Sequence, residues 1–354
     1  VKQSAKNYKR IVIKIGSSLF YSARGELDAD LVNEITGQIC ELIKEKKEVI
    51  LVTSGAIALG MSILKLQERP KELSYLQAAA AIGQHELMDV YRRFFKGRQH
   101  NCAQLLLTWD DFDSRDRYLN AKNTLLKLLK LNSIPIINEN DTVSTEEIRF
   151  GDNDRLSALV ATLVNADMLI ILSDVDGLLD RDKSVIHVVD EITPQIKALA
   201  CPTKRKTSVG GMITKIEAAG IAVNSGISCV IANGRTEDII LSVIKEPQAH
   251  GTLFVSKVGL TAKERWLAFG TKAKGKIFVD DGAKAALINK KSLLCVGITD
   301  LEGNFTTGDV VSVRDKSNTE FARGKVSICA KDLDKVKGAR FDKEIIHRDN
   351  IVIL

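Results

Sequence analysis

Short, almost wholly apolar runs punctuate this chain. They are Arg10-Ile-Val-Ile-Lys-Ile15, Glu48-Val-Ile-Leu-Val-Thr53, Gln104-Leu-Leu-Leu-Thr108, Ile134-Pro-Ile-Ile137, Asp167-Met-Leu-Ile-Ile-Leu172 and Ser228-Cys-Val-Ile-Ala232. Runs of this kind predict strands buried on both faces. Between them the apolar positions recur at helical spacing. Leu31, Ile35, Ile39 and Leu42 predict a helix over 28–46 that Asp28 can cap. Further helices are predicted over 75–95, 121–131 and 156–161, and another opens at Met212. Residues 110–120 read as a loop or helix start. Alternating strands and helices predict an α/β fold: a three-layer αβα sandwich around a mainly parallel open sheet.

Past residue 260 the pattern changes. A lysine-rich connector around Trp266 and Phe269 leads into short strands between glycine turns, over 276–279, 292–296, 309–313, 320–326 and 350–354. This predicts a small β-rich, barrel-like domain. The expected division is therefore 1–260, a linker over 261–274, and 275–354.

The chemistry gathers where strands end. The run Ile134–Ile137 breaks into Asn138, Glu139, Asn140 and Asp141, and a second cluster follows at Asp152, Asn153 and Asp154 before a helix. Acids and amides thus collect between strand carboxyl ends and helix amino ends, where open α/β sheets bind ligands. Gly16-Ser17-Ser18 forms a tight turn after the first strand, suited to bringing backbone N–H groups to a phosphate. Lys14 lies inside that strand; it is either an edge-strand lysine reaching solvent or the partner of a nearby anion. Ser54-Gly55 opens the helix after the second strand, and Ser54 either caps that helix or faces an anion. Gly210-Gly211 precedes a helix carrying Lys215 in its first turns, a third phosphate-directed feature. Ser173-Asp174-Val-Asp-Gly177 lacks the later acidic ligands of a calcium loop and reads as a turn edging a nucleotide pocket. Neither dinucleotide nor P-loop glycine signatures stand where they should. Phosphoryl transfer needs alignment and positive charge around the moving group. Two lysines from opposite sides supply it, and an aspartate between them could hold both.

Composition narrows this reading only a little. The chain has 354 residues, 45% of them hydrophobic, enough for one large domain and a small one. Its net charge of +6 suits anionic substrates and permits nucleic-acid contact without demanding it. The cysteines at 40, 102, 201, 229, 295 and 329 are scattered, which predicts small buried hydrophobes in a reducing compartment rather than a zinc site or disulfides. Residues 1–10 lack a signal-peptide core, and no apolar run approaches a membrane span, so a cytoplasmic location is expected.

Taken together, Val12-Ile-Lys-Ile-Gly-Ser-Ser18, Val52-Thr-Ser-Gly-Ala-Ile57, Ile137-Asn-Glu-Asn-Asp141, Gly151-Asp-Asn-Asp154 and Gly210-Gly-Met-Ile-Thr-Lys215 resemble the amino acid kinase family, in particular its glutamate-phosphorylating branch. The likeness extends through residues 77–84, Leu106-Leu-Thr108 and Arg117-Tyr-Leu-Asn-Ala121. The tail, with Val279-Asp-Asp-Gly-Ala283 and Gly308-Asp-Val-Val311, resembles a PUA domain. The resemblance implies ATP- and Mg²⁺-dependent phosphorylation of the L-glutamate side-chain carboxylate, the first step toward proline. It implies that Lys14 and Lys215 stabilise the transferring group and that Asp154 orients them. It further implies that Ser54, Asp141 and Asn153 hold glutamate. Gly16, Ser173, Asp174 and the turn Val209, Gly210, Gly211, Met212, Ile213, Thr214 and Lys215 would lie on the ATP side. No dedicated protein metal site is expected. Feedback inhibition by L-proline and assembly as a dimer or tetramer also rest on the resemblance.

Two other readings compete. One is another amino acid kinase, acting on N-acetylglutamate, aspartate, carbamate or UMP. The other is RNA binding through the tail, which carries Lys284, Lys290, Lys291, Arg314, Lys316, Arg323 and Lys325 but no interleaved aromatic platform.

Overall fold

The computed structural model describes residues 8–20, 27–143, 153–200, 211–256, 260–339 and 344–354. The chain divides into two compact units, residues 1–111 with 115–259, and residues 112–114 with 260–354.

The first unit is built on an eight-stranded sheet. Its elements are β1 (Arg10–Ile15), α1 (Ala29–Lys44), β2 (Glu48–Val52), α2 (Ala56–Ile63), α3 (Leu73–Gly97), β3 (Asn101–Leu107), α4 (Trp109–Asp113), α5 (Arg115–Lys130), β4 (Ser133–Glu139), α6 (Asn153–Val164), β5 (Met168–Ser173), β6 (Val188–Val189), α7 (Pro194–Leu199), α8 (Met212–Asn224), β7 (Ser228–Asn233), α9 (Ile239–Lys245) and β8 (Thr252–Phe254). The strand order is β3-β4-β2-β1-β5-β7-β8-β6. From β3 to β7 all neighbours run parallel; β8 runs antiparallel to β7. The sheet is thus mostly parallel, as the apolar runs predicted.

β1 is central, with β2 on one side and β5 on the other. Chain progression reverses direction across the sheet there, which makes β1 the topological switch point. Register sets Lys14 beside Val52, Val52 beside Ile137, and Ser173 beside Asn233, so the carboxyl ends of five strands meet at one edge. One face is covered by α1, α3 and α9, whose Ile35, Ile39, Leu87, Tyr91 and Ile240 share a core with Ile11, Ile13 and Leu51. As expected, Asp28 caps α1, its carboxylate accepting from Leu31 N at 3.2 Å. α6 is buried along its whole length except at Arg155, so its apolar residues face packing partners all round.

α2 and α3 pack unusually closely. A Cβ on Gly60 would lie 1.8 Å from the Ala79 carbonyl oxygen, and one on Gly83 would lie 1.8 Å from that of Ala56. The alanine-rich front of α3 therefore lets two backbones touch, and this holds the next residue, Gln84, against the sheet.

The second unit carries α10 (Ala262–Arg265), a π-helical turn (Trp266–Gly270), β9 (Gly275–Val279), α11 (Asp281–Ile288), β10 (Leu293–Leu294), β11 (Ile298–Gly303), β12 (Val310–Arg314), β13 (Glu320–Lys325), α12 (Ala330–Val336), β14 (Glu344–Ile346) and β15 (Ile351–Ile353). Five strands pair as β11-β9-β12-β13-β15, and β10 pairs with β14. The stretch read as a connector folds here: Leu267 and Ala268 pack with Val310 and Val352. α11 is not expected where the sequence reads as short strands between glycine turns; Asp280 caps the helix, accepting from Ala283 N at 2.7 Å.

Candidate active site

Lys14 occupies the end of the central strand and is only 6% exposed, so it does not reach solvent. Its Nζ lies 2.6 Å from Asp154 Oδ1. Lys215, one turn into α8, places its Nζ 3.2 Å from Asp154 Oδ2. Thr214 Oγ1 donates to the same oxygen at 2.8 Å. Asp154 is thus clamped between two buried ammonium groups. Burial alone would raise its pKa, but the two lysines and the hydrogen bonds from Lys14 and Thr214 outweigh that and hold it at about 2. It is ionised throughout the physiological range and cannot serve as a base.

The preceding residue, Asn153, belongs to a different network. Its Nδ2 shares two hydrogens among Thr53 O at 2.8 Å, Ser54 Oγ at 3.0 Å and Asn138 Oδ1 at 2.9 Å. Asn138 Oδ1 also accepts from Glu139 N at 2.9 Å, while Asn138 Nδ2 donates to Gln84 Oε1 at 2.7 Å. Ser54 does not cap α2. Gly55, at φ +105°, holds the N-cap position, and the Ser54 hydroxyl serves Asn153 instead. Asp141 sits half-buried in the turn after β4. Burial and the neighbouring Glu139 carboxylate push its pKa up to about 7, against a lowering influence from Arg69.

A third group lies at the ends of β5 and β7. Ser173 is buried, and its Oγ donates to the exposed Asp174 at 3.2 Å. Asn233 Nδ2 donates to Asp176 Oδ1 at 2.8 Å. Gly16 N donates to Leu172 O at 3.0 Å, and a Cβ at Gly16 would stand 3.6 Å from the Lys14 ammonium. The glycine therefore leaves open the approach to that charge. Gly211 precedes α8 with no side-chain cap on the helix, and a Cβ there would meet nothing within 4 Å. An open glycine turn at an uncapped helix start beside a buried lysine is the donor set that polyphosphate needs. Met212, Ile213 and Thr214 form the first turn of α8. Val209, Gly210 and Asp152 lie outside the described residues.

The structure thus brings Lys14, Asp154, Lys215 and Thr214 into one cluster, and Ser54 and Asn153 into a second that begins at the next residue. It adds three residues the sequence had not singled out as a site: Asn138 and Gln84 in the amide chain, and Asn233 beside Asp176. Asn138 lay in the quoted motif. Gln84 closes the stretch 77–84 that shares the family likeness, but nothing there assigns it a role.

In the second unit, several basic side chains named for RNA are engaged locally. Lys284 pairs with Asp315 and Lys316 with Asp281, both at 2.7 Å, and Arg323 pairs with Glu320 at 2.7 Å. Arg314 donates to Asn318 O at 2.8 Å.

Comparison with known proteins shows the family. Residues 9–233 match the amino acid kinase family, and residues 275–347 match the PUA domain. A protein of Caldanaerobacter subterraneus subsp. tengcongensis named glutamate 5-kinase is 44% identical, with 98% of each chain covered. One of the same name from Rhodopseudomonas palustris is 42% identical, covering 98% of this chain and 97% of its own. Among solved structures, N-acetylglutamate synthase from Neisseria gonorrhoeae, complexed with coenzyme A and N-acetyl-glutamate, superposes with a TM-score of 0.52. At 16% identity over 71% of this chain and 60% of that one, it shares the fold alone.

Proposed function

The chain belongs to the amino acid kinase family, among its glutamate 5-kinases, and from that premise we propose that it transfers the γ-phosphoryl group of ATP to the side-chain carboxylate of L-glutamate. The product is L-glutamyl 5-phosphate, an acyl phosphate on the route to proline.

The observation that carries this reading is the clamp of Lys14 and Lys215 on Asp154 beside the amide pocket of Asn153 and Ser54. A carboxylate nucleophile has no proton to lose, so the reaction needs no general base. It needs positive charge on the moving phosphoryl group and an aligned acceptor. Lys14 and Lys215 supply the charge, and Asp154 holds their ammonium groups at a fixed separation. Ser54 and Asn153 orient the amino acid, and Asp141 receives its α-ammonium. Gly16, Ser173, Asp174 and the start of α8 at Gly211 take the nucleotide side. Val209 and Gly210 are assigned there by resemblance. Mg²⁺ would accompany ATP and supply charge neutralisation there. Inhibition by L-proline, a dimeric or tetrameric assembly and a cytoplasmic location belong to the same proposal. Among the described residues, no helix is long and apolar enough to cross a membrane.

The test is ADP release from MgATP with L-glutamate, N-acetylglutamate, aspartate, carbamate and UMP in parallel, in the presence of hydroxylamine. Turnover with glutamate alone, giving a hydroxamate, is the expected result. Turnover with a different acceptor would discard the assignments of Asp141 and Asn153.

A further inference from the structure

We propose that Gln84, on α3, is a positioning residue that holds Asn138, and through it Asn153, in the arrangement the amino-acid pocket needs. The proposal rests on the glutamate reading above and names a residue that acts at that site without being part of the phosphate clamp.

Two backbone groups at this pocket cannot change hydrogen-bonding sense. The Glu139 N–H can only donate, and it donates to Asn138 Oδ1 at 2.9 Å. The Thr53 carbonyl can only accept, and it accepts from Asn153 Nδ2 at 2.8 Å. Between these fixed points, Asn153 Nδ2 reaches Asn138 Oδ1 at 2.9 Å. Asn138 must then turn its own Nδ2 away from both, and that buried donor needs an acceptor. Gln84 Oε1 supplies it at 2.7 Å.

One atom at each end of the chain is left over. Asn153 Oδ1 and Gln84 Nε2 are buried and without a hydrogen-bond partner. Native structures rarely leave such groups unpaired, and at a binding pocket they mark where a ligand completes the network. The fixed polarity makes the spare atom of Asn153 an acceptor, as an α-ammonium requires. If Gln84 loses its acceptor, Asn138 Nδ2 is stranded. Asn138 then keeps only the bonds at its Oδ1, and its hold on Asn153 loosens. The close packing of α2 on α3 at Gly60 and Gly83 explains how a helix residue is held firmly enough for this role.

The test is a double-mutant cycle on the full chain with Gln84→Met, Asn138→Leu and both together, reading glutamate KM, ATP KM, kcat and Tm. Gln84→Met is expected to raise glutamate KM by about ten-fold, while ATP KM and kcat stay within about two-fold. The double variant should bind glutamate no worse than Asn138→Leu alone, because Gln84 acts through Asn138. Independent, multiplicative effects overturn the proposal. So does an unchanged glutamate KM in Gln84→Met, or a parallel loss of both substrates' binding with a fallen Tm. Should Asn138→Leu fail to fold, Gln84→Glu replaces it. Its carboxylate keeps an acceptor at this position and should bring glutamate KM back toward wild type; no recovery overturns the proposal. Failure of the underlying reading looks different: the wild-type chain itself would show no glutamate-dependent turnover.

Discussion

Asn153 and Asp154 are consecutive and almost equally buried, yet they serve two regions built on different physics. Asp154 joins the charged side, with Lys14 from β1 and Lys215 from α8. Asn153 joins the neutral side, with Ser54 after β2, Asn138 on β4 and Gln84 on α3. The charged cluster lies toward β5 and β7, the amide chain toward β2 and β4, and β1 stands between them in the sheet. Coulombic attraction is strong but only weakly directional, so it suits a phosphoryl group whose charge shifts as it moves. Amide hydrogen bonds are weaker and strongly directional, so they suit recognition of a fixed ammonium and carboxylate. On the proposed reading, the first turn of α6 separates rate from recognition by one peptide bond.

If that separation holds, the two sides should fail in different kinetic parameters. The largest effect is expected on the charged side. On the proposed reading Lys215→Ala removes an ammonium that acts on the transition state, and it should lower kcat by about 10²- to 10³-fold with glutamate KM little changed. Steady-state kinetics with glutamate varied at saturating MgATP measures this. A variant with near-normal kcat and a raised glutamate KM would place Lys215 on the recognition side and break the comparison.

The next effect belongs to Asp141. Its pKa of about 7, raised first by burial and then by Glu139, means that near neutral pH it is only partly ionised. An ammonium binds the ionised form alone. Glutamate KM should therefore fall as pH rises through about 7, and one unit below that value it should be about ten-fold higher than on the alkaline plateau. Asp141→Ala should raise glutamate KM at all pH values and flatten this dependence, while kcat changes less. A KM profile flat from pH 6 to 8 (roughly one pK unit either side of the midpoint) in the wild-type chain would remove Asp141 from the ammonium contact.

The charged side was more legible in the sequence than the neutral side, for a physical reason. A lysine inside an apolar strand and a glycine turn before a second lysine are local anomalies, costly unless a partner is near, so Lys14 and Lys215 stood out by themselves. The parallel sheet was equally visible, because strands buried on both faces read as unbroken apolar runs. Gln84 gave no such sign: glutamine in a helix is ordinary, and its meaning comes from tertiary packing at Gly60 and Gly83. Ser54 was open between two uses, and the structure chose a hydrogen bond to a residue about a hundred positions away. Long-range partners of neutral side chains leave no periodicity and no cost that a sequence exposes.

The smallest expected effect tests where the neutral network stops. Tyr91, fully buried on α3, places its hydroxyl 2.9 Å from Thr53 Oγ1. Its ring stands edge-on to Phe20, with centroids 6.0 Å apart, and stacks on Phe95 at 6.2 Å. Burial raises the Tyr91 pKa well above its ordinary value, so the hydroxyl is neutral and acts only as a hydrogen-bonding group. Thr53 also lends its carbonyl to Asn153, so Tyr91 is one residue removed from the amide chain. Tyr91→Phe keeps the ring packing and deletes one neutral hydrogen bond. The Thr53 hydroxyl still lies 3.2 Å from Ser54 O and keeps an acceptor. The cost should be about 1 kcal/mol, seen as a fall of roughly 2–4 °C in Tm. Glutamate KM should stay put, because the Thr53 backbone is anchored to the neighbouring strand by its own N–H, which donates to Ile137 O at 2.9 Å. A glutamate KM that rises with this variant would extend the recognition network through Thr53 into the core of the sheet.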